Sequence, residues 1–169
     1  MIQVYIPATL AMLQQLVADG SLRPVNGTAF AVTPKLRESY AEGDDEELAD
    51  VALREAALAS LRLLAGDDAQ TLPPRRAVLA AEVAEAEGMS YRPDLDDAVV
   101  RLGGSVAMDR VVAAYVDTAA AEPAVTAAIE AIDAADLGDE DADLVVGDAQ
   151  DHDLAWYAAQ ELPFLLELL

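Results

Sequence analysis

The first twenty residues, MIQVYIPATLAMLQQLVADG (1–20), contain a strand signal followed directly by a helix signal. Apolar and polar residues alternate over 2–6, which is typical of a strand with one buried face. Pro7 ends this strand, and leucines then recur at helical spacing over 10–16 before Gly20 provides a helix stop. This stretch predicts a helix packed on a sheet.

The remainder of the chain carries more signals of the same two kinds. Apolar runs predict further strands at 28–32, 76–83, 98–102, 111–116 and 154–158. Helices are expected over 34–65 (bent near 43–45), 123–135 and 161–169, and irregular connections at 70–74 and 85–97. Thr33-Pro34 and the acids at 44–47 are typical of helix starts.

This order of elements, without repeats or a linker, predicts a single α+β domain over residues 1–169. We expect one mixed or antiparallel sheet of about five to six strands, covered by helices. The strand–helix–strand units near the two ends favour a ferredoxin-like arrangement.

Charge is distributed unevenly along the chain. There are 32 acidic against 10 basic residues, and no Lys or Arg follows Arg110. A net charge of −22 is repelled by nucleic acid and by anionic lipid, so we expect neither to bind directly. If the protein has a partner, we expect a protein with a basic surface. An alternative explanation of this acidity is adaptation of the protein to high salt.

The composition excludes several kinds of chemistry. Without cysteine there are no disulfides, thiolate nucleophiles, iron–sulfur clusters or Cys-based zinc sites. Nucleotide-binding, nucleophile-elbow and H-E-x-x-H motifs are also absent from the sequence, so we assign no cofactor. No signal-peptide pattern and no long apolar span is present, which leads us to expect a cytoplasmic protein.

The acidic run DEDAD (139–143) has the alternating spacing of a calcium loop. Leu144 stands where that loop needs glycine, and Gln150 stands where it needs a bidentate glutamate. We therefore predict a solvated helix start, with a weak cation site as the alternative, and assign no metal ligand.

His152 is the only histidine and lies between Asp151 and Asp153. A neighbouring carboxylate can orient a histidine that acts as a general base. Because no nucleophile motif accompanies it, we interpret His152 as a structural or surface residue and assign no catalytic residue.

The C-terminal segment is apolar, and its favoured interpretation is packing within the monomer, with a dimer or partner contact as the alternative. The candidate partner-binding residues combine the acidic run with two aromatic residues: Asp139, Glu140, Asp141, Asp143, Trp156 and Phe164.

These features favour an acidic interaction or regulatory protein without catalytic activity, either a monomer or a homodimer. The alternative is a small enzyme with a carboxylate-based site assisted by a divalent metal. That alternative predicts a pocket in which several acids converge with raised pKa values.

Three segments, MIQVYIPATL (1–10), TAFAVTP (28–34) and WYAAQELP (156–163), resemble a family of short, uncharacterised actinobacterial proteins. The resemblance covers nearly the full length. It implies a cytoplasmic protein of a high-GC bacterium and contributes no catalytic residues.

Overall fold

A seven-stranded antiparallel sheet organises the chain in the computed structural model, which describes residues 1–67, 71–86 and 88–169. The strands are β1 (Ile2–Ala8), β2 (Ser21–Leu22), β3 (Thr28–Phe30), β4 (Ala77–Val83), β5 (Met89–Tyr91), β6 (Val99–Leu102), β7 (Val106–Ala107), β8 (Val111–Val116) and β9 (Ala155–Ala158). The sheet order is β5-β6-β3-β1-β4-β8-β9, and every neighbouring pair runs antiparallel. β2 and β7 form a separate two-stranded ribbon.

In the described part of the chain, six helices surround these strands: α1 (Leu10–Asp19), α2 (Pro34–Ser39), α3 (Asp45–Ala65), α4 (Glu122–Asp136), α5 (Glu140–Gln150) and α6 (Leu162–Glu167). Short 3-10 turns follow β2, β7, β8 and β9. None of the described helices combines the length and the apolarity that a membrane span requires.

β1 and β4 form the centre of the sheet and are covered on both faces. They pair in register from Ile2 opposite Val83 to Ala8 opposite Ala77. Helices α1 and α6 bury one face, mainly through leucines. On the other face, α3 contributes small residues, Ala52 among them. Small side chains there allow the helix backbone to approach the sheet closely.

Ser60 fixes α3 to the ends of the two central strands. Its buried hydroxyl donates to the Ala8 carbonyl (2.7 Å) and accepts from the Ala77 amide (3.0 Å). Beyond this point, the C-terminal part of α3 leaves the sheet and packs on the α4–α5 hairpin. Leu61, Leu64 and Ile132 are buried in this separate cluster.

The α+β class and the antiparallel sheet are confirmed, whereas the strand count of five to six was too low. The additional strand, β5, lies inside the predicted irregular connection at 85–97, of which residue 87 lies outside the described part of the chain. Residue 70, where the loop at 70–74 was expected to begin, also lies outside it. β5 has only three residues, too few to show a period.

The ferredoxin-like arrangement is not confirmed. It requires the strands joined by a helix to be parallel and separated by a third strand. Here β1 and β3, joined through α1, are direct antiparallel neighbours. Since β3 is antiparallel to β1, it starts at the end of the sheet where β1 stops. Residues 21–27, which follow α1, supply the length of chain needed to return to that end.

Candidate functional site

A cavity of about 210 Å³ lies between α3 and the segment that links α5 to β9. Its apolar walls are Leu53, Ala57 and Leu154. Its polar lining combines charges of both signs with the single histidine: Arg54, Arg76, Gln150, Asp151, His152 and Asp153. The cavity therefore offers donors, acceptors and an apolar wall in one place.

A buried ion pair between Arg76 and Asp117 underlies this cavity. Arg76 is 2% exposed and Asp117 is fully buried. The Arg76 guanidinium donates from Nε to Oδ2 (2.9 Å) and from Nη2 to Oδ1 (2.8 Å), and the Arg76 amide also donates to Oδ2 (2.8 Å). These hydrogen bonds occupy both oxygens of the Asp117 carboxylate, and they compensate for its removal from water.

The same guanidinium fixes the segment before β9. Nη2 also donates to the carbonyl oxygen of His152 (2.9 Å). Because Arg76 precedes β4 and Asp117 follows β8, one buried group joins the ends of two strands to the end of α5. Nη1 of Arg76 makes no hydrogen bond to any residue in the described part of the chain.

His152 belongs to the end of α5. Its amide donates to the Ala149 carbonyl (3.1 Å), and its side chain is partly exposed at the cavity. The flanking Asp151 and Asp153 are exposed. Within residues 1–67, 71–86 and 88–169, no group of three or more His, Cys, Asp or Glu side chains is arranged to hold a metal ion.

The acidic run at 139–143 lies at the opposite end of α5 from the cavity. Asp139 accepts from the Ala142 amide (3.0 Å) and so caps α5, and Glu140, Asp141 and Asp143 occupy the exposed first turn. This geometry is that of a solvated helix start. The helical rise separates the run from the last residue of α5 by about 15 Å.

The two aromatic candidates lie on opposite faces of the sheet. Trp156 of β9 is opposite Tyr115 of β8, whose ring packs with the α3 side, and it is 58% exposed. Phe164 of α6 is 69% exposed, while Leu162 of the same helix is buried on the α1 side. The six sequence-predicted partner-binding residues therefore lie in three separate places.

Two tyrosines lie on the α3 side of the sheet, where Trp156 is opposite Tyr115, and both are influenced by the Asp50 carboxylate. The rings of Tyr5 and Tyr115 are 6.4 Å apart. Burial raises the pKa of both phenols, and the Asp50 carboxylate on α3 raises each further, while the Gln3 hydrogen bond opposes the shift at Tyr5. Both phenols thus remain neutral at pH 7, and Tyr115 is the one that lies opposite Trp156.

Sequence reasoning did not predict that Arg76 pairs with Asp117. Each was visible only as a charged residue at the boundary of an apolar strand. The pairing of β4 with β8 places Ala77 opposite Val116, and this register brings the two residues together across 41 positions of sequence.

A family model described as "Family of unknown function (DUF6912)" matches residues 2–166. No curated protein and no solved structure matches significantly.

Proposed function

The chain belongs to this family of unknown function, DUF6912. We propose that it is a non-enzymatic interaction protein that binds a basic protein partner beside β9. The observation that carries the proposal is the exposure of Trp156, at 58%, on the terminal strand of the sheet. Tryptophan is the side chain that most often dominates the energy of a protein interface when a partner covers it.

The charge around Trp156 favours a basic occupant. The last 59 residues of the sequence contain no Lys or Arg, and exposed Asp151 and Asp153 precede β9 directly. Lysine or arginine side chains on a partner would complement these carboxylates. A second copy of this chain would instead place like charges opposite each other, so a homodimer is a poorer occupant.

The geometry of β9 favours docking by side chains over addition of a strand. The strand has four residues, and the amide of Ala158 already donates to Glu161 Oε1 (3.0 Å). A strand this short, with a donor already occupied, offers little to an incoming backbone. We infer that the partner covers the Trp156 indole and its tyrosine neighbour.

We assign a different role to the acids at 139–143. They lie at the start of α5, and we place them outside the contact around Trp156, where such charges still accelerate association at low salt. The resemblance to actinobacterial proteins further supports our proposal that this binding takes place in the cytoplasm.

The enzyme alternative has less support. It requires acids with raised pKa values to converge in a pocket. Burial raises the pKa of Glu55 most, and the nearby Asp96 carboxylate raises it further. Glu55, however, does not line the cavity.

The test is capture of partners from the native host by the wild-type chain and by two matched variants, at low and high salt. Trp156→Ala removes the proposed contact, and Phe164→Ala removes an aromatic on the other face that is more exposed still. We expect one stoichiometric basic protein that is lost at high salt and with Trp156→Ala, but retained with Phe164→Ala.

With that partner purified, Trp156→Ala should weaken the equilibrium affinity about 30-fold, since a dominant interface residue contributes about 2 kcal/mol. Neutralising the run at 139–143 should instead slow association and reduce its salt dependence. Equal capture by the two aromatic variants, or recovery of the bait alone at both salt concentrations, contradicts the proposal.

A further inference from the structure

We propose that the cavity between α3 and the α5–β9 segment binds a free amino acid with an aliphatic side chain. This inference concerns a small ligand and does not depend on the proposed protein partner. It starts from the buried Arg76, which lines the cavity and whose guanidinium Nη1 has no hydrogen-bond partner among the described residues.

The unused donor calls for an acceptor on the ligand. Nε and Nη2 of Arg76 are engaged by Asp117 and by the His152 carbonyl, and Nη1 has no hydrogen-bond partner among the described residues. Because Nη1 is not among the buried unpartnered atoms of the described residues, it is open to solvent although the Arg76 side chain is only 2% exposed. A carboxylate oxygen would satisfy Nη1 with a charge-assisted hydrogen bond.

Charges of both signs face the cavity without pairing to each other. Arg54 on one wall, and Asp151 and Asp153 on the other, form no ion pair with any residue within 1–67, 71–86 and 88–169. Opposite charges kept apart around a cavity match a ligand that carries both a carboxylate and an ammonium group. The carboxylate would lie toward the arginines and the ammonium toward the aspartates.

The apolar walls and the size define the rest of the ligand. Leu53, Ala57 and Leu154 are aliphatic, and the cavity measures about 210 Å³. Ligand pockets in general combine such apolar walls with a few polar groups that fix orientation. An aliphatic amino acid such as leucine supplies a carboxylate, an ammonium group and a branched hydrocarbon to these three parts of the lining.

The experiment compares L-leucine with two analogues that each lack one charged group, by titration calorimetry on the full chain. The compound 4-methylpentanoate lacks the ammonium group, and 3-methylbutylamine lacks the carboxylate. We expect each analogue to bind at least about tenfold more weakly than leucine, the loss of about one charge-assisted hydrogen bond.

Variants of exposed residues locate the site without disturbing the buried ion pair. Arg54→Gln should weaken leucine and 4-methylpentanoate alike by about tenfold. Asp151→Asn combined with Asp153→Asn should weaken leucine and leave 4-methylpentanoate unchanged. Arg37→Gln, which removes an exposed arginine outside the cavity lining, is the control and should leave leucine binding unchanged.

Three results would overturn the proposal: no heat of binding for leucine at millimolar concentration with the wild-type chain, equal affinity for leucine and either analogue, or insensitivity to Arg54→Gln in a folded variant. Each is distinguishable from failure of the partner proposal, which depends on Trp156 and on a protein ligand.

Discussion

Replacing Asp117 by asparagine tests how far the buried ion pair stabilises the fold. The change keeps the shape of the side chain and removes its charge, so it creates almost no cavity. It leaves the Arg76 guanidinium buried without a counter-charge. The asparagine NH2 group would also replace one carboxylate oxygen, so that a donor would face a guanidinium donor.

The structure gives the expected magnitude. Asp117 accepts three hydrogen bonds from Arg76. Asparagine keeps one acceptor oxygen, so one or two of these bonds are lost, at about 1.5–3 kcal/mol for each bond to a charged group. Removing one partner of a buried pair costs about 3–5 kcal/mol in other proteins, so we expect a loss of about 4 kcal/mol.

Urea unfolding followed by far-ultraviolet circular dichroism measures this loss. With an m-value of about 2 kcal/mol per molar urea, the midpoint should fall by about 2 M. Asp45→Asn is the control, because its pair with Arg37 is 77% and 53% exposed, and it should cost at most about 1 kcal/mol. The double variant Arg76→Met/Asp117→Leu removes both charges and should recover most of the lost stability.

The reasoning is refuted if Asp117→Asn destabilises the protein no more than Asp45→Asn does. It is also refuted if the double variant is as unstable as the single one, because the penalty would then not come from an unpaired charge.

Further outcomes are expected from the same fold. Added sodium chloride should raise the melting temperature, because it screens repulsion within a chain of net charge −22; a temperature that falls with salt contradicts this. Burial and Asp96 raise the pKa of Glu55, so its ionised form opposes folding above that pKa, and this destabilising contribution of Glu55 fades as pH falls through it. Glu55→Gln should therefore stabilise the protein at pH 7 relative to wild type, with a smaller gain near about pH 4, as urea midpoints would show. Ala56→Leu should cost about 1–3 kcal/mol in urea unfolding, because Ala56 is fully buried between α3 and the sheet. Gly27→Ala should cost more than about 1 kcal/mol by the same measurement, because φ is 68° and the new Cβ would lie 2.6 Å from the Leu102 carbonyl oxygen.

The features that could be predicted from the sequence are local ones. Thr33 accepts from the Leu36 amide and starts α2, and Asp44 accepts from the Glu47 amide and starts α3, as the helix-start signals indicated. Most strands also follow from apolar runs of residues adjacent in sequence. Such signals are readable because the interacting groups are only a few positions apart.

The candidate sites could be predicted only in part. The sequence singled out His152 and Trp156 and gave no sign that Arg76 would underlie the cavity beside His152. It also grouped Trp156 with Phe164, which the fold places on opposite faces of the sheet.

By itself, then, the sequence determined the α+β class, the helix starts and the imbalance of charge. The tertiary structure decided the order of strands, the pairing of Arg76 with Asp117 and the cavity above that pair. The physical reason is that the alternation of apolar residues determines which face of a strand is buried but does not determine which strand it pairs with. That choice depends on how the helices pack over the whole sheet, and it places residues distant in sequence side by side.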